Sequence, residues 1–283
     1  MGFLYTLFVV AGITAVALIG KLSARKGIPA LDLSFVIFSA ATVMCAVWLR
    51  FSGASGSSFT APVIMYAVVA GIGGSLAVFL FNHAIRIGHF GFSNAIYRSS
   101  FMMPVLFSMI FLAARLRYTT VAGIMIIVTA IFLMSWSNGS FASGQSGGWR
   151  WFLVIAAAFV LSGLPRIGQL LTNTHKENFF VYLFLSYAAG AIALIPAVVA
   201  RRRVDKRALA YGSIAAAASI VGVYCTLMAL NHLPAYVVYP ITLSAPIMLG
   251  ILISYYFKEK IKPWGWIGIL LGISGILILA IWK

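Results

Sequence analysis

Apolar runs of about twenty residues recur along nearly the whole sequence, and a helical run of that length crosses the hydrocarbon of a bilayer. They fall at 3–20, 31–49, 61–85, 91–114, 119–136, 149–171, 179–200, 208–230, 235–257 and from 264 onward. Only short polar or charged joins lie between them. Charged residues make up 8% of the chain and hydrophobic residues 63%, against roughly 25% charged in a soluble domain. The mean hydropathy of +1.05 agrees. The expected fold class is an all-α polytopic membrane protein with ten transmembrane helices, and no length is left over for a soluble domain.

The chain also repeats itself. The stretch 229–275 holds two apolar helices, the first carrying Pro240 and Pro246, joined by the charged hinge 258–263. The second carries Gly265, Gly268, Gly272 and Gly275 at spacings of three and four, a smooth face for close helix packing. Shifted back by 145 positions, Ala229 falls on Ala84, Gly268 on Gly123, Gly275 on Ala130, and residues 256–261 on 111–116. The prolines do not coincide: Pro104 lies three positions from where Pro246 predicts it. A repeat at half the chain length means two similar halves. The expected organisation is a first five-helix repeat over 1–136, a Gly/Ser-rich linker over 137–148 and a second five-helix repeat over 149–283. Five crossings is an odd number, so the halves must be inverted relative to each other, a recurrent build of secondary transporters.

The net charge is +16, but Lys and Arg gather at the ends of the apolar runs, which reads as membrane topology and not as nucleic-acid binding. Thirteen of them fall in the joins after runs 1, 3, 5, 7 and 9, and five on the other side. The richer side is expected in the cytoplasm, which leaves both termini outside, in a multi-pass protein of a bacterial inner (cell) membrane. The first apolar run is followed by Lys21, Arg25 and Lys26, the reverse of a secretory signal, so it reads as the first span. Cys45 and Cys225 each sit inside an apolar run with no pairing pattern and read as small core residues.

Polar residues inside spans carry what functional signal remains, because a charge at bilayer depth costs about 2.5–3.5 kcal/mol and faces a cavity or a partner. Arg98 lies about two turns into the fourth run, with Asn94 and Tyr97 on its face. Contact with a substrate or gate, a structural hydrogen bond and snorkelling to the interface are all open to it. Arg166 follows Pro165, whose missing N–H kinks the helix beside the cation, and Gln169 shares that face. Tyr236, Tyr239 and Thr242 line the ninth run near Pro240, with Tyr224 on the eighth; substrate contact and packing both fit them. His83 and His89 are candidates for proton coupling. The four acids, Asp32, Glu177, Asp205 and Glu259, lie outside the depths of the spans. With Arg98 and Arg166 as the cavity charges, an anionic, zwitterionic or neutral polar ligand is favoured. An aromatic cage leaves organic cations open.

Ten spans, the five-plus-five repeat and a diffuse proline, Phe-x-Glu-Lys and glycine pattern at Pro246, Phe257, Glu259, Lys260 and Gly268 resemble the drug/metabolite transporter superfamily, EamA type. Phe111, Arg115, Leu116 and Gly123 carry the pattern in the first half, with Ala114 where that family commonly has Glu. The resemblance implies a central cavity lined by spans 1, 3, 4, 6, 8 and 9 and worked by alternating access. Prolines 165, 240 and 246 would be hinges, and Glu259, Gly268 and Gly272 structural. It also implies cytoplasmic termini, opposite to the charge count.

The expected function is secondary active transport of a small polar metabolite. A flippase for an anionic lipid or lipid-linked sugar and a multidrug or organic-cation exporter are the alternatives. No catalytic constellation, cofactor or metal set is visible, so no enzyme is expected. The expected partners are a small-molecule or lipid substrate and membrane lipids, with a homodimer allowed and no nucleic acid.

Overall fold

A computed structural model describes residues 1–53, 56–87, 93, 96–112, 118–137, 148–201, 204–256 and 263–281. Every regular element among them is helical: α1 (Gly2–Arg25), α2 (Ala30–Phe51), α3 (Ala61–Ile87), α4 (Met102–Phe111), α5 (Tyr118–Ser137), α6 (Gly148–Thr174), α7 (Phe179–Arg201), α8 (Arg207–Leu230), α9 (Ala235–Tyr256) and α10 (Pro263–Ile281), with 3-10 turns at Gly56–Ser58 and Ser99–Phe101. Helices are what a chain this apolar must form, since hydrocarbon offers no partner for a free backbone N–H or C=O. Hydroxyls inside the helices also turn inward on the backbone. Thr14 donates to the Val10 carbonyl at 2.6 Å, Thr226 to Gly222 at 2.8 Å and Ser244 to Pro240 at 2.6 Å. Among the described residues six helices, α1, α2, α3, α6, α7 and α8, are long and apolar enough to cross a membrane.

Local chemistry sets the helix ends. Gly27 takes a left-handed φ of 72° after α1, and the Ile28 N–H then reaches back to the Ser23 carbonyl at 3.1 Å. The same turn ends α6: Lys176 sits at φ 54° and the Glu177 N–H meets the Thr172 carbonyl at 2.9 Å. A Cβ in that conformation costs about 1 kcal/mol. Lys176→Gly is therefore expected to stabilise the protein by about 1 kcal/mol, read as a raised unfolding temperature in detergent. Asn178 caps α7 through its Oδ1, which accepts the N–H groups of Phe180 and Val181 at 2.9 and 3.2 Å. Asp205 caps α8 by accepting the Arg207 N–H at 2.9 Å, and the Arg207 side chain closes on it at 2.7 Å. Those bonds, the side-chain one first, hold the Asp205 carboxyl below the usual carboxylate range, so the clip is intact at neutral pH and opens only when acid protonates it.

Nearly all the large helix contacts join one half of the chain to the other. Helix α3 packs on α6 and α7, α8 on α1 and α2, α2 on α7, and α5 on α10. Two main cores result. One gathers Val63, Ala67, Tyr182, Leu183, Ala216 and Leu227 between α2, α3, α7 and α8. The other gathers Phe101, Ile127, Ile131, Tyr239, Leu243 and Leu279. On α10, Gly265, Gly268, Gly272 and Gly275 are all buried. A Cβ at Gly275 would lie 2.6 Å from Ile127 Cγ1 and 3.1 Å from the Gly123 carbonyl of α5, so these two helices meet backbone to backbone.

Candidate functional site

Helix α6 runs continuously through its proline, but its backbone hydrogen-bond ladder has a break there. Pro165 stands inside it, has no N–H to give the Leu161 carbonyl, and would kink an unsupported helix. The surroundings hold the break in place. Gly73 of α3 lets that helix approach so closely that a Cβ there would lie 3.2 Å from the Leu161 carbonyl oxygen and 2.8 Å from Leu164 Cδ1. A Cβ at Gly74 would lie 3.0 Å from the Pro165 ring. Two tyrosines from other helices cap the next carbonyls: Tyr182 Oη of α7 donates to the Pro165 carbonyl at 2.9 Å, and Tyr239 Oη of α9 donates to the Arg166 carbonyl at 2.6 Å. The Arg166 guanidinium itself folds back, and Nη1 donates to the Ser162 carbonyl.

This braced break faces a cavity of about 270 Å³. Ile13 and Val16 of α1, Gly74 and Val78 of α3, Tyr97, Pro165, Arg166 and Gln169 of α6, Ser219 and Thr226 of α8, and Tyr239 and Thr242 of α9 line it. A side chamber of about 160 Å³ shares Phe38, Gly74, Pro165, Gln169, Ser219 and Val223 with it and adds Tyr182, Ser186 and Tyr187. Tyr187 is tied there to Ser219 by an O–O hydrogen bond of 2.7 Å. Arg98 sits next to Tyr97, near enough that its charge acts on Arg166. Its Nε is buried and has no hydrogen-bond partner among the described residues. Among the described lining residues of both chambers there is no carboxylate.

Of the residues expected from the sequence, Tyr97, Pro165, Arg166, Gln169, Tyr239 and Thr242 are brought to this one cavity, with Arg98 adjoining it. Others lie elsewhere. Tyr224 turns to an aromatic group with Trp48 and Phe180, centroids 5.2 and 5.8 Å away. Tyr236 occupies the first turn of α9, too near the helix end to reach the cavity, and packs in the second core. His83 is outside the central cavity, at the end of α3. Pro240 is buried within α9. Asn94, His89, Glu259 and the side chain of Pro246 lie outside the described residues. The fourth run differs from the expected continuous helix. A 3-10 turn at Ser99–Phe101 follows Arg98 directly, and its three residues are buried, packed on α6.

Sequence reasoning missed Phe38, Tyr182, Tyr187, Ser219 and Thr226. The α8 stripe of Ser219, Gly222 and Thr226, at spacings of three and four, was a readable signal. Nothing distinguishes Tyr182 and Tyr187 in the sequence from tyrosines that only pack.

No curated protein matches the chain. A solved crystal structure is similar in fold, with a TM-score of 0.79 at 15% identity, covering 99% of this chain and 97% of that one. Residues 148–281 match the model of the EamA-like transporter family. The second half of the chain is thus similar to the EamA-like transporter family.

Proposed function

We propose that the protein is a secondary active transporter that carries a small polar metabolite with an anionic group by alternating access. The observation that carries this reading is the Arg166 guanidinium on the cavity wall, with Arg98 adjoining it and no described carboxylate among the lining residues. Like charges in a medium of low dielectric repel strongly. A bound carboxylate or phosphate between them would relieve that repulsion and accept the one hydrogen bond that Arg98 Nε lacks among the described residues. Gln169, Thr242 and Tyr97 are placed to orient the polar remainder. An organic-cation substrate would have to overcome both charges with aromatic faces alone.

Ten crossings in two inverted repeats fit the packing. Exchanging each helix for the one five places on turns the α1–α8 contact into α6–α3, and the α2–α8 contact into α7–α3, while α2–α7 and α5–α10 map onto themselves. That is the pattern of a pseudo-twofold axis through the two self-mapped pairs. The left-handed turns at Gly27 and Lys176 end corresponding helices, α1 and α6. Shifted by 145 residues, the start of α5 at Tyr118 falls on the start of α10 at Pro263.

Alternating access needs a cavity open to one side and tied at the other. Val78 lines both the central cavity and a larger recess at the basic end of the helices. One turn beyond Gln169 the opposite end is tied: Asn173 donates to Asn231 Oδ1, Tyr66 meets His175 at 3.2 Å, and Thr60 donates to Glu177 at 2.6 Å. The basic end, with Lys26, Arg201, Lys206 and Arg207, is assigned to the cytoplasm, which leaves both termini outside.

A thermal-shift panel of carboxylate, phosphate, zwitterionic and cationic metabolites tests the reading. Anions are expected to raise the unfolding temperature of the wild-type protein and not that of Arg98→Ala. Stabilisation by organic cations alone, indifferent to Arg98, would defeat it.

A further inference from the structure

A cavity larger than the central one lies outside the central site. It is a recess of about 400 Å³ between the start of α2, the end of α3 and the end of α7, with Ser34, Phe79, His83 and Arg201 on its walls. Its depth relative to the bilayer follows from the apolar spans. Ala30 opens one span, Arg201 closes another, and His83 lies in the last two turns of α3. All three mark one boundary between hydrocarbon and headgroups, at the basic end.

The recess also opens on the outer, apolar face of the protein. Met65, Val69, Ile72, Leu76 and Phe79 form an exposed line along α3 at spacings of three and four, and His83 continues it. Phe79 and His83 belong both to that line and to the wall of the recess. A ligand here has one part in hydrocarbon and one part at headgroup level.

Charge selects the headgroup. Arg201 Nη1 rests 3.4 Å from Asp32 Oδ1, and Asp32 Oδ2 accepts the Asp205 N–H at 3.0 Å. The Asp32 side chain is 3% exposed and that of Arg201 48%, so the carboxylate stands behind and the guanidinium in front. The acid fixes the position of Arg201 while leaving most of its five N–H donors to the recess. Ser34 and the ring of His83 add donors beside it.

We propose that this recess binds an anionic phospholipid, its phosphate against Arg201, His83 and Ser34 and an acyl chain along the exposed line of α3. The site is separate from the substrate reading and stands or falls without it. Because Val78 is shared with the central cavity, a lipid seated here forms part of the wall behind the transport site.

Native mass spectrometry of the full chain, in detergent with equimolar phosphatidylglycerol and phosphatidylcholine, reads the site directly. The wild type is expected to retain phosphatidylglycerol over phosphatidylcholine by about fivefold, the effect of one basic group at a membrane surface. His83→Glu is expected to abolish that preference, and Ser34→Trp to abolish it by filling the recess. Lys206→Glu, an exposed change at the same end but off the recess wall, is expected to leave it. Each protein is first shown to run as a monodisperse peak with an unfolding transition, so lost binding is not lost folding. Equal retention of the two lipids overturns the proposal, as does an equal effect of Lys206→Glu, which would mean a diffuse basic surface. Displacement of phosphatidylglycerol by excess inorganic phosphate would assign the recess to a soluble anion instead.

Discussion

Gly71→Ala is expected to destabilise the protein by about 3 kcal/mol, the upper end of what one extra methyl costs in a filled interior. Gly71 lies where α3 crosses α7, and its added Cβ would overlap the carbonyl oxygen of Ser186. It would also sit 2.9 Å from both Ala189 Cβ and the Gly190 nitrogen. Two of those three neighbours are backbone, so no side chain can swing away and the helices must part. Parting them disturbs the core of Tyr182, Leu183 and Ala67, and with it the tyrosine that caps the Pro165 break. Gly20→Ala is the control. Gly20 is also inside a helix, but nothing lies within 4 Å of its added Cβ, so only helix propensity acts and a gain of up to about 1 kcal/mol is expected. The measurement is thermal unfolding of both variants in one detergent. A Gly71→Ala protein as stable as Gly20→Ala would mean that α3 and α7 do not meet at this point.

Gly71 also marks how far the sequence could be read. The cluster of Gly71, Gly73 and Gly74 in an apolar run announces a close packing site, because a helix gains nothing from glycine unless another backbone comes near. It does not say which backbone. Gly71 meets α7 while Gly73 and Gly74 meet the proline break of α6, and both partners lie in the other half of the chain. The helices themselves were legible because so few charges interrupt the apolar runs. The 3-10 turn after Arg98 was not: Ser99, Ser100 and Phe101 contain no glycine or proline, and the tightening comes with their packing against α6. Arg166 stood out because a cation beside a mid-helix proline is costly on both counts and rarely retained without use. Tyr236, Tyr239 and Thr242 looked equivalent in sequence, yet only the latter two lie deep enough to line the cavity. Depth along a helix depends on where the helix begins, and that is the least legible quantity in an apolar run.

Arg166→Ala is expected to raise KM for an anionic substrate about 100-fold while leaving the ligand-free protein as stable as wild type or more so. The first effect is the removal of one fully used charge from a water-poor site, which costs about 3 kcal/mol. The second follows from what the guanidinium does when no ligand is bound. It donates to the Ser162 carbonyl of its own helix and lies in the field of Arg98, with no described acid beside it. Removing it relieves one like-charge repulsion and frees one carbonyl, two small effects of opposite sign. The bracing of the break is untouched, because Tyr182 and Tyr239 bond to backbone carbonyls that alanine keeps. Arg166→Lys retains the charge without the planar fork and is expected to fall between, about tenfold weaker than wild type. Transport of a radiolabelled anion into proteoliposomes, beside unfolding curves with and without that anion, separates the effects. A residue that only supported the fold would show the reverse pattern: a lowered unfolding temperature without ligand and an unchanged KM in whatever protein survived. Unchanged KM in a stable Arg166→Ala protein would mean that Arg166 takes no part in binding the anion, and would defeat a site built on both guanidiniums.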